Sequence, residues 1–286
     1  MPRQYVHRAA HAEVFLTGHE KTGENTYAVG GQWPRAHTYF TTADGRSHDH
    51  LQVCETFRQT GIYLAHTEHG VPLDHHFVMQ GMTVSTHPER LAIQYTPTDL
   101  TINTTFVRRG PNFTASFTVI NDHRVIATGR GDFTCVTPAA YRRIRTNPHL
   151  APTLNDLHYS PTNQDPTVFG RTHSHDLVLA PTHQPHTWLL NPDPRHPVLF
   201  DHNGDHIPGM VLIEAARQSA HPHLPPHALP THSHTEWHRY VELATPCYIT
   251  AVPQPTADPD THTVQVTGRQ NNQVAFTTHI TATTQK

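Results

Sequence analysis

The sequence is poor in charge, in cysteine and in long apolar runs, and each scarcity argues against a class of protein. Only 15% of its 286 residues are charged, and 20 Lys and Arg against 23 Asp and Glu leave a formal charge of -3. A nucleic-acid-binding surface that depends on bulk positive charge is therefore disfavoured. The three cysteines, Cys54, Cys135 and Cys247, are odd in number and widely spaced, which fits neither a disulfide framework nor a C-x-x-C metal site.

Targeting and cofactor motifs are also missing. The longest early apolar run, residues 14–16, is too short for a signal-peptide core, and no stretch approaches the roughly 18–20 apolar residues of a membrane span. We therefore predict a cytoplasmic protein with reduced thiols. The chain has no G-x-G-x-x-G, no Walker motif and no G-x-S-x-G. No cofactor is predicted, and serine hydrolase chemistry is disfavoured.

Histidine and proline are in excess, with 29 and 25 copies. The histidines are scattered rather than grouped in ligand-spaced sets, so compositional drift explains most of them better than metal binding does. The alternative rests on two groups with ligand-like spacing: His221, His223 and His227, then His232, His234 and His238. Because no acidic residue or cysteine completes either group, no metal is predicted, and structural zinc stays the alternative.

The chain contains an internal repeat with an offset of 159 residues. Residues 37–45 and 51–59 match residues 196–204 and 210–218 in one ungapped register. Five identities carry the match: His37 with His196, Gly45 with Gly204, Glu55 with Glu214, Arg58 with Arg217, and Gln59 with Gln218. Such a repeat indicates two copies of one structural unit.

Each copy predicts one long helix followed by an antiparallel sheet. Pro208 and Gly209 precede an apolar run that Pro222 ends, which indicates the start and the end of a helix. The equivalent helix of the first half is predicted from about Leu51 to His69. The predicted strands are 77–84, 91–95, 100–107, 113–120 and 125–134, then 239–244, 247–252, 262–267 and 274–281, with hairpin turns at 121–122 and 271–272.

The fold class that follows is α+β, with two tandem repeats that each hold a long central helix wrapped by an antiparallel sheet. The predicted domains are residues 1–137 and 175–286. Residues 138–174 contain several prolines, an arginine run and little periodicity, so they are predicted to be a linker. The arginine run, at Arg142, Arg143 and Arg145, is interpreted as a solvated helical turn, with a partner site as the alternative.

The motifs resemble those of hotdog enzymes. The segment 208–215 is similar to the helix start of hotdog β-hydroxyacyl-acyl-carrier-protein dehydratases, although His202 and His206 stand at a shorter spacing than the dehydratase histidine. The whole chain resembles the AfsA-like A-factor synthases more closely. The matching segments run in order through both halves: 5–8, 12–16, 32–37, 55–59, 139–143, 176–181, 196–202 and 205–218. This resemblance implies a double hotdog fold.

The resemblance also implies a reaction and its partners. A β-ketoacyl group would move from an acyl carrier protein to the primary hydroxyl of dihydroxyacetone phosphate, in the biosynthesis of γ-butyrolactone signalling molecules. The ester can then close by intramolecular aldol condensation to a butenolide phosphate. We therefore expect an acyltransferase that uses the carrier protein and dihydroxyacetone phosphate, with a homodimer as a further expectation.

Two helix pairs supply the candidate catalytic groups. Glu55 and Arg58 are three residues apart and share a helix face, as do Glu214 and Arg217. The alternative is a pair of structural i,i+3 ion pairs, each contributing roughly 0.2–0.5 kcal/mol. Because the carboxylates lie in apolar stretches that a wrapping sheet would bury, we expect their pKa values to rise toward the range of a general base.

The working cleft is predicted to combine the two halves. In it, Glu55 is the general base on the substrate hydroxyl, and the backbone N–H groups near Gly209 and Met210 polarise the thioester carbonyl. Arg217 holds the phosphate or the developing oxyanion. Three loop residues orient these groups or relay a proton: His202, Asp205 and His206.

Other assignments stay open. The mirror assignment pairs Glu214 with Arg58, since the repeat is nearly symmetric. Arg108 and Arg109, before a predicted hairpin tip, are candidates for contact with a phosphate or the acidic carrier protein, and a solvated tip is the alternative. The same fold could instead hydrolyse or dehydrate acyl thioesters, or bind an acyl chain or lactone as a non-catalytic regulator.

Overall fold

The computed structural model describes residues 1–145, 153–202, 204–226 and 228–284. They fall into two compact units, Met1–Thr38 with Gln52–Ala151 and Tyr39–Leu51 with Pro152–Lys286. These units are drawn differently from the predicted domains. Residues 39–51 belong to the second unit, and the predicted linker is divided between the two. Two contacts join this segment to Arg171, whose Nη1 donates to the Tyr39 carbonyl at 2.6 Å and lies 3.8 Å from Asp49 Oδ2.

The first unit is built on a six-stranded antiparallel sheet. Its strands are β1 (Leu16–Lys21), β2 (Thr26–Trp33), β3 (His76–Thr86), β4 (Thr98–Arg109), β5 (Asn112–Asn121) and β6 (Arg124–Val136), in the order β1-β2-β4-β5-β6-β3. The long helix α1 (His50–Thr67) precedes β3, and the short helix α2 (Pro138–Ile144) follows β6. Thr137 caps α2, because its side chain accepts a hydrogen bond from the Ala140 N–H.

Helix α1 lies in the core of the first unit, and nearly all of its residues are buried. Phe57 stacks on Phe117 of β5 with ring centroids 4.5 Å apart. A side chain on Gly129 of β6 would place its Cβ 2.3 Å from the Phe57 ring and 2.4 Å from the Thr83 carbonyl oxygen. Glycine at 129 therefore lets the helix approach the sheet closely, and a helix that is buried on all sides is typical of a central core element.

The second unit repeats this plan. Its strands are β7 (Leu179–Pro181), β8 (Thr187–Leu190), β9 (Leu229–Trp237), β10 (Cys247–Gln254), β11 (Thr261–Gln270) and β12 (Gln273–Thr283), in the order β9-β12-β11-β10-β8-β7. Its helix α3 (Gly209–Ala220) packs on β10, β11 and β12. Gly268 of β11 again makes room for an aromatic ring, since a Cβ there would lie 2.0 Å from Phe276.

The predicted α+β class and both predicted helices agree with the structure, but several strand predictions are wrong. Residues 91–95 and 239–244 form no strand, and they lead instead into β4 and β10. Prediction missed β1, β2, β7, β8 and β9. The first hairpin turn is shifted by one residue, since positive φ angles fall at Asp122 and His123; the second is as predicted, at Asn271 and Asn272.

No helix among the described residues combines the length and the apolar character that crossing a membrane would require.

Candidate active site

Glu55 stands at the centre of a buried ion-pair network in the first unit. Its carboxylate, 0% exposed, accepts hydrogen bonds from Arg8 Nε at 3.0 Å, from Arg58 Nε at 2.8 Å and from Gln59 Nε2 at 2.8 Å. Burial alone would raise the pKa of Glu55, but the charges of Arg58 and Arg8 and these hydrogen bonds lower it to about 2. The carboxylate is therefore ionised and fully engaged.

Glu214 has the same surroundings in the second unit. It accepts hydrogen bonds from Arg171 Nε at 2.7 Å, from Arg217 Nε at 2.8 Å and from Gln218 Nε2. Burial would raise the pKa of Glu214, but Arg171 and Arg217 lower it to about 2. The same arrangement of two arginines and one glutamine around a buried carboxylate therefore occurs once in each unit.

The predicted rise of these pKa values is wrong. Burial was visible in the apolar sequence around Glu55 and Glu214, but the second guanidinium of each network was not. With two arginines each, the carboxylates stay charged where an isolated buried acid would take up a proton. The i,i+3 ion pairs that were the alternative interpretation are both formed, at 2.8 Å.

Sequence reasoning missed Arg8 and Arg171, and a second repeat register contained the signal. At an offset of 163 residues, Arg8 matches Arg171 and Leu16 matches Leu179. The structure shows the same offset in the backbone: Arg58 donates to the Val6 carbonyl and Arg217 to the Phe169 carbonyl. The paired glutamines also bind the backbone of equivalent segments to the helices. Gln59 binds Glu13 and Phe15, and Gln218 binds Asp176 and Val178.

The start of α3 gathers the other predicted groups. Val211 and Leu212 make the first helical hydrogen bonds, to the Pro208 carbonyl, so the amides of Gly209 and Met210 lie ahead of the helical ladder. A helix N-terminus carries partial positive charge and attracts anionic oxygen. The predicted role of these two amides fits this position.

Polar side chains surround that helix start. His206 Nδ1 and Asp205 Oδ1 are 2.7 Å apart, and both side chains are about a quarter to a third exposed. The Tyr240 ring lies against the His206 ring, with centroids 4.7 Å apart. A Cβ on Gly209 would lie 3.7 Å from the Trp237 indole, whose buried Nε1 has no hydrogen-bond partner among the described residues. His202 is exposed, four residues earlier.

Arg217 lies further along α3 than the helix start. It is bound to Glu214, which is five residues from Gly209, or roughly 7.5 Å of helix rise. The predicted phosphate and oxyanion roles of Arg217 both stay predictions. Its Nη1 lies beside Gly170, where a Cβ would come within 3.0 Å, and 11% of the Arg217 side chain is exposed.

A second polar cluster lies at the start of α1, within the second unit. Asp49 caps the helix, since its Oδ1 accepts from the Leu51 N–H at 2.9 Å. His50 Nε2 is 2.8 Å from Ser233 Oγ, and burial lowers the pKa of His50 to about 4. Arg171 Nη1 lies 3.8 Å from Asp49 Oδ2.

Of the two hairpin arginines, Arg108 is held by backbone carbonyl oxygens. Arg108 donates to the Gly110 carbonyl at 2.9 Å and to the His69 carbonyl at 3.0 Å, and its guanidinium lies 5.4 Å from the Phe113 ring centroid. Arg108 and Arg109 end β4 and are exposed. Nothing in these contacts requires a phosphate, so a partner role for the two arginines stays a prediction.

The histidines offer one metal-like group among the described residues, and its chemistry does not fit. Possible ligand atoms of His175, Asp176 and His196 lie within 4.8 Å of one another. However, His196 Nδ1 accepts from the Val198 and Leu199 amides at 3.2 and 3.1 Å, which places the ring proton on Nε2, bonded to Asp176. A metal at Nε2 would displace that proton. Of the spaced groups considered from sequence, His227 lies outside the described residues.

Comparison with solved structures defines the fold class. The chain aligns with a putative oleoyl thioesterase from Lactobacillus plantarum with a TM-score of 0.56 and 11% identity, over 93% of this chain and 98% of that one. It aligns with the trans-AT PKS dehydratase domain from Brevibacillus brevis with a TM-score of 0.52 and 10% identity, over 95% and 98%. Together with the two helix-and-sheet units, these similarities confirm the predicted double hotdog fold.

The chain belongs to the AfsA family, the A-factor biosynthesis hotdog domain, whose profile matches residues 1–137 and 154–286. It is 42% identical over 283 residues to a 2-oxo-3-(phosphooxy)propyl 3-oxoalkanoate synthase of Streptomyces virginiae, covering 96% of this chain and 95% of the relative. A synthase of the same name from Streptomyces griseus is 35% identical, covering 96% and 93%. The family resemblance drawn from the sequence motifs is confirmed.

Proposed function

We propose that this protein is an acyltransferase that joins a 3-oxoacyl group to the hydroxyl of dihydroxyacetone phosphate. The product is a 2-oxo-3-(phosphooxy)propyl 3-oxoalkanoate, the compound in the names of its relatives. The observation that supports the proposal in this chain is the start of α3, where the Asp205–His206 pair comes three residues before the first helix amides and the Trp237 indole lies beside Gly209. An acyl carrier protein is the proposed donor of the thioester.

His206 is the group best placed to move the proton. Asp205 holds Nδ1, so Nε2 is the nitrogen that accepts the proton of the substrate hydroxyl. The hydroxyl oxygen then bonds to the thioester carbon, and the carbonyl electron pair moves to its oxygen. Collapse of this intermediate breaks the C–S bond and releases the carrier thiolate, which takes up the proton from His206 and becomes the free thiol.

The developing oxyanion is met by donors that are already in place. The amides of Gly209 and Met210 precede the helical ladder, and Trp237 Nε1 is buried beside them without another partner among the described residues. Donors fixed at the position where charge develops stabilise a transition state strongly, because they need no reorganisation during the reaction. Loss of one such donor costs about 10²–10³ in kcat in comparable enzymes.

The remaining predicted residues take supporting roles in the proposal. Glu214 fixes the guanidinium of Arg217, whose Nη1 beside Gly170 is offered to the phosphate. Glu55 fixes Arg58 in the same manner. The general-base role predicted for Glu55 stays untested. Because the pKa of Glu55 is about 2 and three side chains already donate to its carboxylate, we assign the base role to His206.

The product contains the groups needed for ring closure. The carbon between its two carbonyls is acidic, and it can attack the ketone of the phosphooxypropyl part within the same molecule. Loss of water then gives a butenolide phosphate. We also propose a cytoplasmic location. A homodimer stays an expectation, which size-exclusion chromatography tests.

Product analysis by mass spectrometry tests the proposal. Protein is mixed with a 3-oxoacyl thioester, carrier-bound or as a small-molecule thiol, and dihydroxyacetone phosphate. We expect a phosphorylated ester or butenolide, reduced by about 10²–10⁴ in His206→Asn, with exposed His123→Asn as the matched control. Free 3-oxo acid alone would indicate a thioesterase, and an enoyl product a dehydratase. Saturable binding without turnover would indicate a regulator.

A further inference from the structure

An apolar cavity of about 170 Å³ lies within the second unit, close to the start of α3. Half of its twelve lining residues are large aliphatic side chains, and three polar residues, Glu242 among them, complete the wall with three small or cyclic ones. The six aliphatic residues are Leu157, Leu189, Leu190, Ile207, Val241 and Leu243. Apolar cavities of roughly 150 Å³ stay dry and admit a six-carbon ligand such as benzene. The size and lining therefore suit a hydrocarbon segment rather than a polar or charged group.

The cavity is connected to the proposed reaction centre through one wall residue. Ile207 precedes Gly209 by two positions, and two residues of extended chain span at most roughly 7 Å. The Ile207 N–H donates to the Val241 carbonyl at 2.9 Å, which fastens this wall to the opposite one. An acyl group whose carbonyl lies at Gly209 therefore reaches the cavity after a short run of chain.

The far wall is held in place by hydrogen bonds. The Gln270 amide accepts from the Glu242 N–H at 2.9 Å and donates to the carbonyls of Glu242 and Thr245 at 3.0 and 2.8 Å. Because Gln270 is buried, these hydrogen bonds hold the loop between β9 and β10 against the interior of the second unit. A wall held in this way is preformed, and a ligand does not have to order it.

We propose that this cavity binds the distal hydrocarbon end of the 3-oxoacyl group and sets the chain length that the protein prefers. The inference rests on the proposed function. A four-carbon acetoacetyl group ends before the cavity, whereas a medium-length chain fills it. Each methylene buried there increases kcat/KM about fourfold until the cavity is full.

Two variants change the cavity in opposite directions. Ala244 is exposed at its rim, and Ala244→Phe puts a ring into the opening. Leu189 is half-buried, and Leu189→Ala enlarges the space. The controls are Ala257→Phe, which is the same change as Ala244→Phe, and Val252→Ala, which shortens another aliphatic side chain; both positions are exposed and outside the cavity.

The measurement is kcat/KM across 3-oxoacyl thioesters of four to twelve carbons, expressed as the ratio between each chain and the four-carbon substrate. Ala244→Phe should lower this ratio at least tenfold for the longer chains. Leu189→Ala should move the chain length with the highest kcat/KM to longer chains. Both controls should keep the wild-type profile. A wild-type profile in both cavity variants, with acyl transfer intact, would overturn the cavity proposal and leave the proposed function standing.

If no ester forms with any chain length, a binding measurement separates the cavity proposal from the acyltransferase proposal. Straight-chain fatty acids of the same lengths are titrated into wild type and Ala244→Phe by calorimetry. Binding that strengthens with chain length in wild type, and is lost in the variant, supports the cavity site even where the acyltransferase proposal fails. Equal binding in both proteins, or none in either, overturns it.

Discussion

Replacing Glu55 by glutamine tests whether this carboxylate is a structural centre or a catalytic base. The change removes a fully buried negative charge and leaves Arg8 and Arg58 facing a neutral amide. The pKa of Glu55 falls from its ordinary 4.5 to about 2, and this gap corresponds to about 3 kcal/mol of folding free energy. Breaking a buried ion pair by removing one partner costs about 3–5 kcal/mol in general. The two estimates agree.

Urea denaturation at pH 7 measures this loss directly. We expect Glu55→Gln to lower the free energy of unfolding by about 3 kcal/mol, and Glu214→Gln, in the equivalent network, to lower it by a similar amount. The exposed Glu236→Gln is the control and should change it by less than about 0.5 kcal/mol. Loss of product in Glu55→Gln with wild-type stability would refute this reasoning and restore Glu55 as the base.

The same argument fixes a pH window. Because the pKa values of Glu55 and Glu214 are lowered in the folded state, the unfolded chain binds protons first as the solution is acidified. Their contribution to stability is complete above about pH 4.5 and is lost as pH falls toward 2. Denaturation measured between pH 6 and pH 3 checks this. In wild type the free energy of unfolding should fall more steeply with pH below pH 4.5, and in either glutamine variant this steeper fall should be smaller.

Three further predictions concern separate features. Burial lowers the pKa of His50 to about 4. As pH falls from about 6.5 to 4, the unfolded chain therefore takes up a proton that folded His50 does not, and the free energy of unfolding falls. His50→Gln should make this fall smaller in urea titrations. Gly170→Ala should destabilise more than Gly45→Ala, because both have positive φ but only Gly170 faces an imidazole, at 2.6 Å from a built Cβ; melting temperatures compare them. Burial raises the pKa values of Cys135 and Cys247 to about 12, so iodoacetamide at pH 8 should label neither thiol in the folded protein, and mass spectrometry of tryptic peptides reports this.

The fold was predictable where the sequence carries a strong local pattern. The second long helix follows from an apolar run bounded by Pro208 and Pro222, and the first follows from its equivalence in the repeat, which itself indicates two similar units. The missed strands lack such a pattern. β7 has three residues and β8 four, and β2 contains Gly30 and Gly31, which lower strand propensity. Their place in the sheet comes from pairing with distant strands, which no local window contains.

The candidate site was predictable only in part, for the same reason. The helix pairs with i,i+3 spacing and the groups at the start of α3 are visible locally. Arg8 is 47 residues from Glu55, and Arg171 is 43 residues from Glu214. Without those partners, burial pointed to raised pKa values, whereas the added positive charges lower them. Comparing the two halves at a second offset would have exposed both arginines, since they repeat at 163 residues rather than 159.

The contact between Arg8 and Glu55 has a practical consequence for anyone who shortens the chain. Residues near an N-terminus are ordinarily the first to be trimmed or fused to a tag. Here that stretch delivers a guanidinium to the middle of α1, and the Phe15 N–H is bound by Gln59 of the same helix. Deleting it would leave the buried Glu55 carboxylate without one of its two arginine partners. Arg8 and Phe15 therefore belong to the core of the first unit, although they come long before α1 in the sequence.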